Sequence, residues 1–388
     1  MGGMRILFVT WAWPSHLYAM VPVAWACRAA GHDVLVASQP ELTGTILGTG
    51  LPAAPVGGDV DAAAVFREIA LPPPATERRP APGGPRVLGL LTTLAEAMTD
   101  DLVELGRNWR ADLIVFEPTA FAGPLAAAAL GVPAVRHLYG TDLLSAAGRF
   151  LPDALGPLCE KLGIAAVDPF GAATLDPCPP GLQVPVGSRR LPVRYVPYNG
   201  PGLLPAPPPA TPPGRPLVCV TWGTTLSRLD PGLFLAGQAA RAIGGLDVDV
   251  LLAVTPAQRG LLGPLPAGTR VAESAPLHLL APGCDLVVAH GGAGTLLTAL
   301  AHGLPQVLVP RLPDHVRHSA RLGEAGAGVV LPAEEAAPEA IRDAVAGVLA
   351  SPGHRDAAER LRREMHGQPA PAGVVPELEL IAAGGTPS

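Results

Sequence analysis

Short apolar runs and longer helical stretches alternate along the first part of the chain. RILFVT (5–10) and DVLVAS (33–38) have the length and composition of buried strands, and residues 16–30 between them are predicted as a helix. A helix over about 40–49 and a strand at LPAAPV continue this order. Strands that alternate with helices through short connections predict a parallel, doubly wound α/β sheet.

The same order resumes after a proline-rich interruption at 71–86. Helices are predicted at about 88–108 and 119–130, with buried strands at DLIVFE (112–117) and PAVRHL. The first doubly wound unit therefore extends well beyond the interruption, which is predicted to be a loop excursion from the sheet.

A second unit is predicted beyond residues 201–216, a proline-dense segment whose composition favours an extended, semi-rigid linker. Its strands are PLVCVTWG, DVDVLLAV, TRVAES, DLVVAH, PQVLVP and GVVL, and its helices are predicted at about 230–243, 294–302 and 314–325. The predicted fold is α/β, with two Rossmann-like domains (1–200 and 217–366) facing a central ligand cleft, followed by a tail (367–388).

Composition disfavours several classes of function. The net charge of −6 and the lack of a basic stripe argue against a nucleic-acid partner. Lys161 is the only lysine, and its context suits neither a Walker loop nor a Schiff base. The five cysteines form no CxxC pair, which disfavours a structural zinc or a disulfide framework and is typical of a reducing cytosol.

Apolar run lengths predict no integral membrane segment, since no run of about 18 residues is uninterrupted. The longest candidate, FAGPLAAAALGVPAV (121–135), is broken by Gly and Pro. A signal peptide is the other interpretation of the apolar start of the chain, but no cleavage site of small residues follows. The expected location is therefore the cytoplasm.

The segment WAWPSH (11–16) follows the first predicted strand. Trp11 and Trp13 either wall a ligand site or pack into the core of the first domain, whereas Trp25, within the helix, is expected in the core. His16 lies where the loop after the first strand faces the cleft, and a histidine suits general-base catalysis because it titrates near neutral pH. A surface histidine without a role is the alternative.

Acidic residues suggest two further kinds of chemistry. Glu117 ends the strand DLIVFE and is expected at the same sheet edge as His16, where its carboxylate would orient the imidazole. The motif DVD at 59–61 and 247–249 could hold a divalent metal, but the first copy precedes a helix as a cap would and the second opens a strand. We therefore predict no metal site.

The clearest chemical signal is a glycine-rich turn between the strand DLVVAH and a helix. Such a turn directs backbone N–H groups at the positive end of a helix dipole, which suits a phosphate, and His290 adds a donor, or a cation if protonated. Tight helix–strand packing is the alternative explanation of the glycines. The chain lacks GxGxxG, which disfavours a nicotinamide dinucleotide. The turn comprises His290, Gly291, Gly292, Ala293, Gly294 and Thr295.

Two other polar turns follow strands of the second domain. Thr224 and Thr225 could donate to a phosphate or could be ordinary N-terminal caps. Asp314 and His315 follow the strand in PQVLVP at its carboxyl end, where ligand-binding groups are expected in such sheets.

These segments together resemble the GT-B-fold glycosyltransferases of actinomycete natural-product pathways, which decorate macrolide and aromatic polyketide aglycones. The resemblance covers nearly the whole chain. It is densest in SHLYAMVPVAWACRAAGHDVLVAS (15–38), EPTAFAGPLAAAALGVPAVRHLYGTD (117–142), VRYVPYNGPG (193–202) and residues 285–328.

The resemblance implies an inverting, metal-independent transfer of a deoxyhexose from a dTDP-sugar to a polyketide aglycone, with no resident cofactor. His16 matches the base of this family, and Glu117 matches the acidic residue that supports it, often Asp in relatives. Asp142 matches a position proposed as an alternative base, including in carbon-glycosylating relatives. The resemblance also implies that the first domain binds the acceptor, that the second binds the donor, and that the tail crosses back onto the first.

On the donor side, the resemblance implies that the turn at 290–295 binds the diphosphate, with Thr224 and Thr225 close to it. Asp314 and His315 match a pair that holds sugar hydroxyls, whose second member is more commonly Gln. The segment that lies against the nucleobase matches Ala275, Pro276 and Leu277.

The sequence leaves several properties of the protein undecided. The sequence does not distinguish a C–O from a C–C product, or a monomer from a homodimer, and it does not decide whether an auxiliary activator protein is needed. A nucleotide-sugar epimerase is the alternative function, because it also uses two such domains and a diphosphate site.

Overall fold

The computed structural model describes residues 3–70, 86–185, 189–204 and 214–385. The predicted excursion at 71–86, apart from its last residue, and most of the predicted linker at 201–216 lie outside these ranges. Within them, no helix combines the length and the apolar character that crossing a membrane requires.

A sheet of seven parallel strands forms the first half of the chain, in the order β3-β2-β1-β4-β5-β6-β7. The strands are β1 Arg5–Val9, β2 Asp33–Ser38, β3 Ala53–Pro55, β4 Leu113–Phe116, β5 Ala134–His137, β6 Ala173–Asp176 and β7 Arg190–Pro192. The helices around it are α1 Pro14–Ala29, α2 Thr43–Leu47, α3 Ala62–Ala70, α4 Arg86–Trp109, α5 Ala122–Leu130 and α6 Leu151–Leu162. Helices on both faces explain why the central strands are continuous apolar runs.

A second sheet of six parallel strands has the order β10-β9-β8-β11-β12-β13. The strands are β8 Leu217–Thr221, β9 Asp249–Val254, β10 Arg270–Glu273, β11 Leu286–Ala289, β12 Gln306–Leu308 and β13 Gly328–Val330. The helices are α7 Thr225–Leu229, α8 Ala236–Ile243, α9 Pro256–Arg259, α10 Leu277–Leu280, α11 Ala293–Ala301, α12 Pro313–Glu324, α13 Pro338–Ala350, α14 Pro352–Gly367 and α15 Val375–Ala382. Two doubly wound sheets confirm the predicted fold class.

Strand order reverses once in each sheet, between β1 and β4 and between β8 and β11. At such a switch point the two crossover helices leave on opposite faces, so a crevice opens at the carboxyl ends of the strands. The loops after these four strands are therefore the ones that the topology places at a ligand site.

The sequence prediction missed α6, β6 and β7. Helix α6 contains Pro157, a residue that normally argues against a helix interior, and the two short strands carry charged residues such as Asp176 and Arg190. The predicted helix at 230–243 begins only at Ala236, because Asp230 has extended backbone and caps Gly232 through its carboxylate.

Two sets of contacts join the second half of the chain to the first half. Val375 and Leu378 of α15 lie in the same buried cluster as Leu17 of α1. Near the cleft, the Thr141 hydroxyl and His318 Nδ1 are 2.7 Å apart in a side-chain hydrogen bond. The chain thus crosses back onto its first half at the C-terminus, and the two halves are also joined beside the cleft.

Candidate active site

A cavity of about 1040 Å³ lies between the two halves and is lined by residues of both. The loops after β1, β4, β5, β8 and β11 all contribute to its wall. This is the crevice that the two switch points predict, and most of the candidate site residues line it.

His16 and Glu117 meet at one end of this cavity. Helix α1 begins at Pro14, so His16 lies in its first turn, while Glu117 directly follows β4, the strand paired with β1. His16 Nδ1 and Glu117 Oε2 are 3.2 Å apart, and the carboxylate is fully buried. The structure therefore brings together two residues that are 101 positions apart in sequence.

Thr119 completes this pair and was not identified from the sequence. Its hydroxyl donates to Glu117 Oε1 and Oε2 at 2.7 and 2.8 Å, and its backbone N–H donates to Oε2 at 2.9 Å. The Trp11 indole Nε1–H donates to the same hydroxyl at 2.8 Å. The available signal was a hydroxyl residue two positions after the acidic one, in the same cleft-facing loop.

Tyr139 is a second residue that the sequence analysis did not select. Its ring stacks on the His16 imidazole, with centroids 4.1 Å apart and an interplanar angle of 17°. Burial, and then the negative charge of Asp314, raise the pKa of the Tyr139 phenol well above its usual value. Tyr139 is therefore a neutral platform that limits rotation of the histidine.

The first two tryptophans of the chain are buried and also line the cavity. Trp11 and Trp13 are 1% and 6% exposed, lie 4.9 Å apart, and pack with Phe66 of α3, yet all three line the cavity. The expectation for Trp25 was wrong. Its side chain is 39% exposed and donates through Nε1 to the carbonyl of Thr49.

The glycine-rich turn connects β11 to α11, with Gly292 at the N-cap position. Glycine has no side chain to cap the helix, so the N–H groups of its first turn, at Ala293, Gly294 and Thr295, have no side-chain cap, and all three residues line the cavity. This arrangement suits an anion.

His290 is held between two glycines. A Cβ on Gly292 would lie 2.5 Å from His290 Nε2, and one on Gly223 would lie 2.5 Å from its Cε1. Burial, reinforced by His315, lowers the pKa of His290 well below the usual value. The imidazole is therefore neutral in the unliganded protein, where it can still donate one hydrogen bond.

The turn after β8 lies beside His290. Thr224 and Thr225 both line the cavity, and Thr224 is the N-cap residue of α7, but its side chain makes no capping hydrogen bond. Gln258 holds this turn by donating through Nε2 to the Gly223 carbonyl at 2.5 Å and to the Ser227 hydroxyl at 2.8 Å. The threonine side chains are thus not used as caps.

Asp314 and His315 begin α12 but differ in environment. Burial lowers the pKa of His315 to about 3, and its ring packs edge-on against His290 with centroids 4.8 Å apart. The Asp314 side chain is 34% exposed at the cavity. Ala275, Pro276 and Leu277 line another part of the same cavity, directly before and at the start of α10.

Asp142 requires a correction. Its carboxylate is fully buried and accepts two hydrogen bonds from the Arg136 guanidinium, at 2.8 and 3.2 Å, and one from the Ser145 hydroxyl at 2.7 Å. Arg190 lies 3.4 Å away as a second cation. Asp142 does not line the cavity. Because its oxygens are already paired with arginine and serine, the geometry assigns it a structural role and not that of a base.

Both DVD motifs have partners within the protein. Asp59 accepts the backbone N–H of Glu41, and Asp61 accepts that of Ala64 in α3, as a helix cap does. Asp247 and Asp249 lie 3.6 and 3.0 Å from the Arg215 guanidinium. Capping and ion pairing account for these carboxylates.

Solved structures resemble this architecture over almost the whole chain. The glycosyltransferase VinC in complex with dTDP gives a TM-score of 0.81 at 32% identity and covers 98% of this chain and 100% of that chain. The spinosyn rhamnosyltransferase SpnG, complexed with spinosyn aglycone, gives 0.82 at 33% identity, covering 97% and 100%. The two sheets and the cleft between them define a GT-B-fold glycosyltransferase.

Sequence comparison identifies one family within this class of enzymes. The 10-deoxymethynolide desosaminyltransferase of Streptomyces venezuelae is 38% identical over 416 residues, covering 98% of this chain and 97% of the relative. The N-terminal and C-terminal domain models of erythromycin biosynthesis protein CIII-like match residues 25–223 and 238–381. The chain belongs to the erythromycin biosynthesis protein CIII-like family of glycosyltransferases. The epimerase alternative is therefore rejected.

Proposed function

We propose that the protein transfers a deoxyhexose from a dTDP-sugar to a hydroxyl of a polyketide-type aglycone, with inversion at the anomeric carbon. The observation that carries this proposal is the shared cavity, which is lined by His16 from the first half and by the glycine-rich turn at 290–295 from the second. The choice of substrates is supported by the dTDP bound to VinC, by the spinosyn aglycone bound to SpnG, and by the name of the 10-deoxymethynolide desosaminyltransferase.

The acceptor hydroxyl is deprotonated by His16 in this proposal. Its Nδ1 is engaged with Glu117, and no described residue bonds to Nε2. Nε2 is then the base that accepts the hydroxyl proton as the acceptor oxygen forms a bond to the anomeric carbon. Glu117 orients the ring and stabilises the imidazolium that results.

The donor diphosphate departs on the opposite side. When the bond from the anomeric carbon to the diphosphate oxygen breaks, negative charge develops on the leaving group. The N–H groups at 293–295, the neutral His290 and the hydroxyls of Thr224 and Thr225 are donors that stabilise this charge. We assign Asp314 and His315 to the sugar, and Ala275, Pro276 and Leu277 to the nucleobase, since all five line the cavity.

We assign acceptor binding to residues 1–200 and donor binding to 217–366, with 367–388 as the returning tail. An apolar wall that the first half contributes to the cavity supports this division, because it suits a large apolar aglycone. The wall includes Trp11, Trp13, Phe66, Leu88, Leu91 and Leu144.

Location and assembly complete the proposal. The enzyme is expected to work in the cytoplasm with dTDP-sugar as a co-substrate and no resident cofactor or metal. Sedimentation of the purified chain distinguishes a monomer from a homodimer, and turnover by the purified chain alone would exclude a required activator protein.

The decisive experiment incubates the purified chain with a dTDP-deoxyhexose and a polyketide aglycone, and determines the anomeric configuration of the product by NMR. His16→Ala should lower kcat about 10²- to 10⁴-fold, because the general base is lost. The Kd for dTDP, measured by calorimetry, should not change, which also shows that the variant is folded.

His366→Ala is the matched control, since this histidine lies on α14 and does not line the cavity. It should keep wild-type turnover. Wild-type kcat in His16→Ala would contradict the assignment of the base, and a product with retained configuration would contradict single displacement.

A further inference from the structure

We propose that Trp11 and Thr119 are positioning residues of the transfer reaction. In this proposal the Trp11 indole N–H fixes the Thr119 hydroxyl, and that hydroxyl fixes the Glu117 carboxylate that orients His16. The proposal rests on the proposed function only in taking His16 as the base.

The direction of each hydrogen bond follows from which groups can donate a proton. An indole nitrogen donates and cannot accept, whereas a threonine hydroxyl carries one proton and can also accept. Because Trp11 donates to the Thr119 oxygen, the hydroxyl proton is left for Glu117, to which the oxygen lies 2.7 and 2.8 Å away. The bonds therefore run in one direction, from Trp11 through Thr119 to the carboxylate.

Thr119 holds the carboxylate at two points. Its backbone N–H and its hydroxyl both contact Glu117 Oε2, the oxygen that faces His16 Nδ1 at 3.2 Å. A carboxylate so restrained keeps Oε2 directed at the imidazole. That contact places the ring proton on Nδ1 and leaves the lone pair on Nε2, which is the tautomer a general base requires.

The Trp11 N–H also weakens a competing bond. The Thr119 oxygen lies 3.4 Å from His16 Nδ1, close enough to accept the ring proton in place of Glu117. The indole N–H occupies one of the two lone pairs of this oxygen, at 2.8 Å, and makes that exchange less favourable. Trp11 thus contributes a specific hydrogen bond in addition to its packing.

The hydrogen bonds can be removed separately from the packing. The Trp11 ring stacks near Phe66, 6.1 Å away, and meets the His16 ring edge-on at 5.3 Å, contacts that a phenylalanine can largely keep. Thr119→Val keeps the shape of the side chain and loses the hydroxyl, and Thr119→Ser keeps the hydroxyl and loses a methyl group.

Steady-state kinetics give the first test. Thr119→Val should lower kcat about 10- to 100-fold, because a misoriented base loses much of its effect. Trp11→Phe removes one hydrogen bond and should lower kcat about 2- to 10-fold. Thr119→Ser should restore most of the wild-type kcat, and KM for the aglycone should stay unchanged in both Thr119 variants.

Matched controls carry the same substitutions outside the site. Trp25→Phe removes an indole N–H that donates to the Thr49 carbonyl, and Thr99→Val removes a buried hydroxyl that donates to the Ala95 carbonyl in α4. Both controls should keep wild-type kcat. A loss in the controls equal to that in the site variants would overturn the proposal.

Nitrogen-15 NMR of labelled histidine gives a readout independent of turnover. The ring signals of His16, assigned by their loss in His16→Gln, should show the proton on Nδ1 in the wild type and a mixture of tautomers in Thr119→Val. An unchanged tautomer together with unchanged kcat would refute the positioning role. A raised KM for the aglycone with intact kcat in Trp11→Phe would show that Trp11 is a wall residue only.

Different results would contradict the assignment of His16 as the base and the positioning role of Thr119 and Trp11. If His16→Ala keeps turnover, the base assignment fails whatever the Thr119 variants show. If His16→Ala loses turnover while Thr119→Val and Trp11→Phe behave as wild type, the base assignment stands and only the positioning role is lost.

Discussion

Glu117 and Asp142 show how neighbours decide what a buried carboxylate does. Both are fully buried acidic side chains in the first half. Asp142 is paired with Arg136 and Arg190, so its charge is balanced inside the protein. Glu117 has the His16 imidazole as its partner and lies directly behind this histidine, which lines the cavity. Only Glu117 is therefore placed to support a histidine that takes up a proton from a substrate.

Asp142→Asn should therefore act on stability and not on chemistry. Removing one partner of a buried ion pair costs about 3–5 kcal/mol, since the arginines lose the charge that balances them. Denaturant unfolding should show this loss, while kcat of the folded protein stays near wild type. Asp100→Asn, which removes an exposed partner of Lys161, is the control and should change little. A large loss of kcat in folded Asp142→Asn would restore the catalytic interpretation.

At the scale of the element, the junction of β11 and α11 combines packing with the proposed anion site. The glycines were open to two explanations, phosphate binding and tight packing, and the structure shows that packing contributes. Gly292 and Gly223 leave room for the neutral His290 ring, which is itself proposed as a donor to the diphosphate. The two explanations are therefore not alternatives.

Gly292→Ala tests this junction. The new methyl group would overlap His290 Nε2, so the ring must move and its hydrogen bond to the leaving group is lost. Calorimetry should show dTDP affinity lower by about 10- to 100-fold, the value of one hydrogen bond to a charged group. Gly347→Ala, on an exposed face of α13 with open space around it, should instead stabilise the fold by about 0.5–1 kcal/mol and leave dTDP affinity unchanged. Equal dTDP affinity in both variants would contradict the proposed role of His290.

At the scale of the whole molecule, the interface between the halves and the sheet interior contain buried neutral histidines. Burial lowers the pKa of His315 to about 3, and the pKa values of His137 and His318 to about 4. His290 is lowered well below its usual value. Since an unfolded histidine has a pKa near 6.5, the unfolded chain binds more protons than the folded one below that pH.

Stability should consequently fall as the pH falls from about 6.5 toward 4. Each such histidine contributes a loss of about 1.4 kcal/mol per pH unit within that window, and the loss ends below the folded pKa. Denaturant unfolding at pH 7 and pH 5.5 measures the effect. His137 lies outside the cavity. His137→Asn should weaken the pH dependence of the free energy of unfolding by the contribution of one histidine. An unaltered dependence would contradict the conclusion that His137 is neutral in the folded protein.

The local pattern of the chain was enough for the fold and for much of the candidate site. Alternating apolar strands and helices require two parallel sheets, and the carboxyl ends of their central strands must meet at a crevice. Glu117 and the turn at 290–295 follow directly from that rule because each comes immediately after a central strand, and His16 follows from it because it lies just beyond the loop after β1. The sequence could therefore place these groups at the carboxyl ends of the central strands, although it showed none of their side-chain contacts.

Tertiary structure alone decided what each of these groups touches. The bond from Trp11 to Thr119 spans 108 positions, and the contact of His315 with His290 depends on how α12 packs beside the turn between β11 and α11. The arginines around Asp142 come from β5 and β7, and the second of these strands has no periodic signal. Apolar periodicity specifies which residues face inward, whereas hydrogen bonds between distant side chains depend on distances and angles that only the packed chain sets.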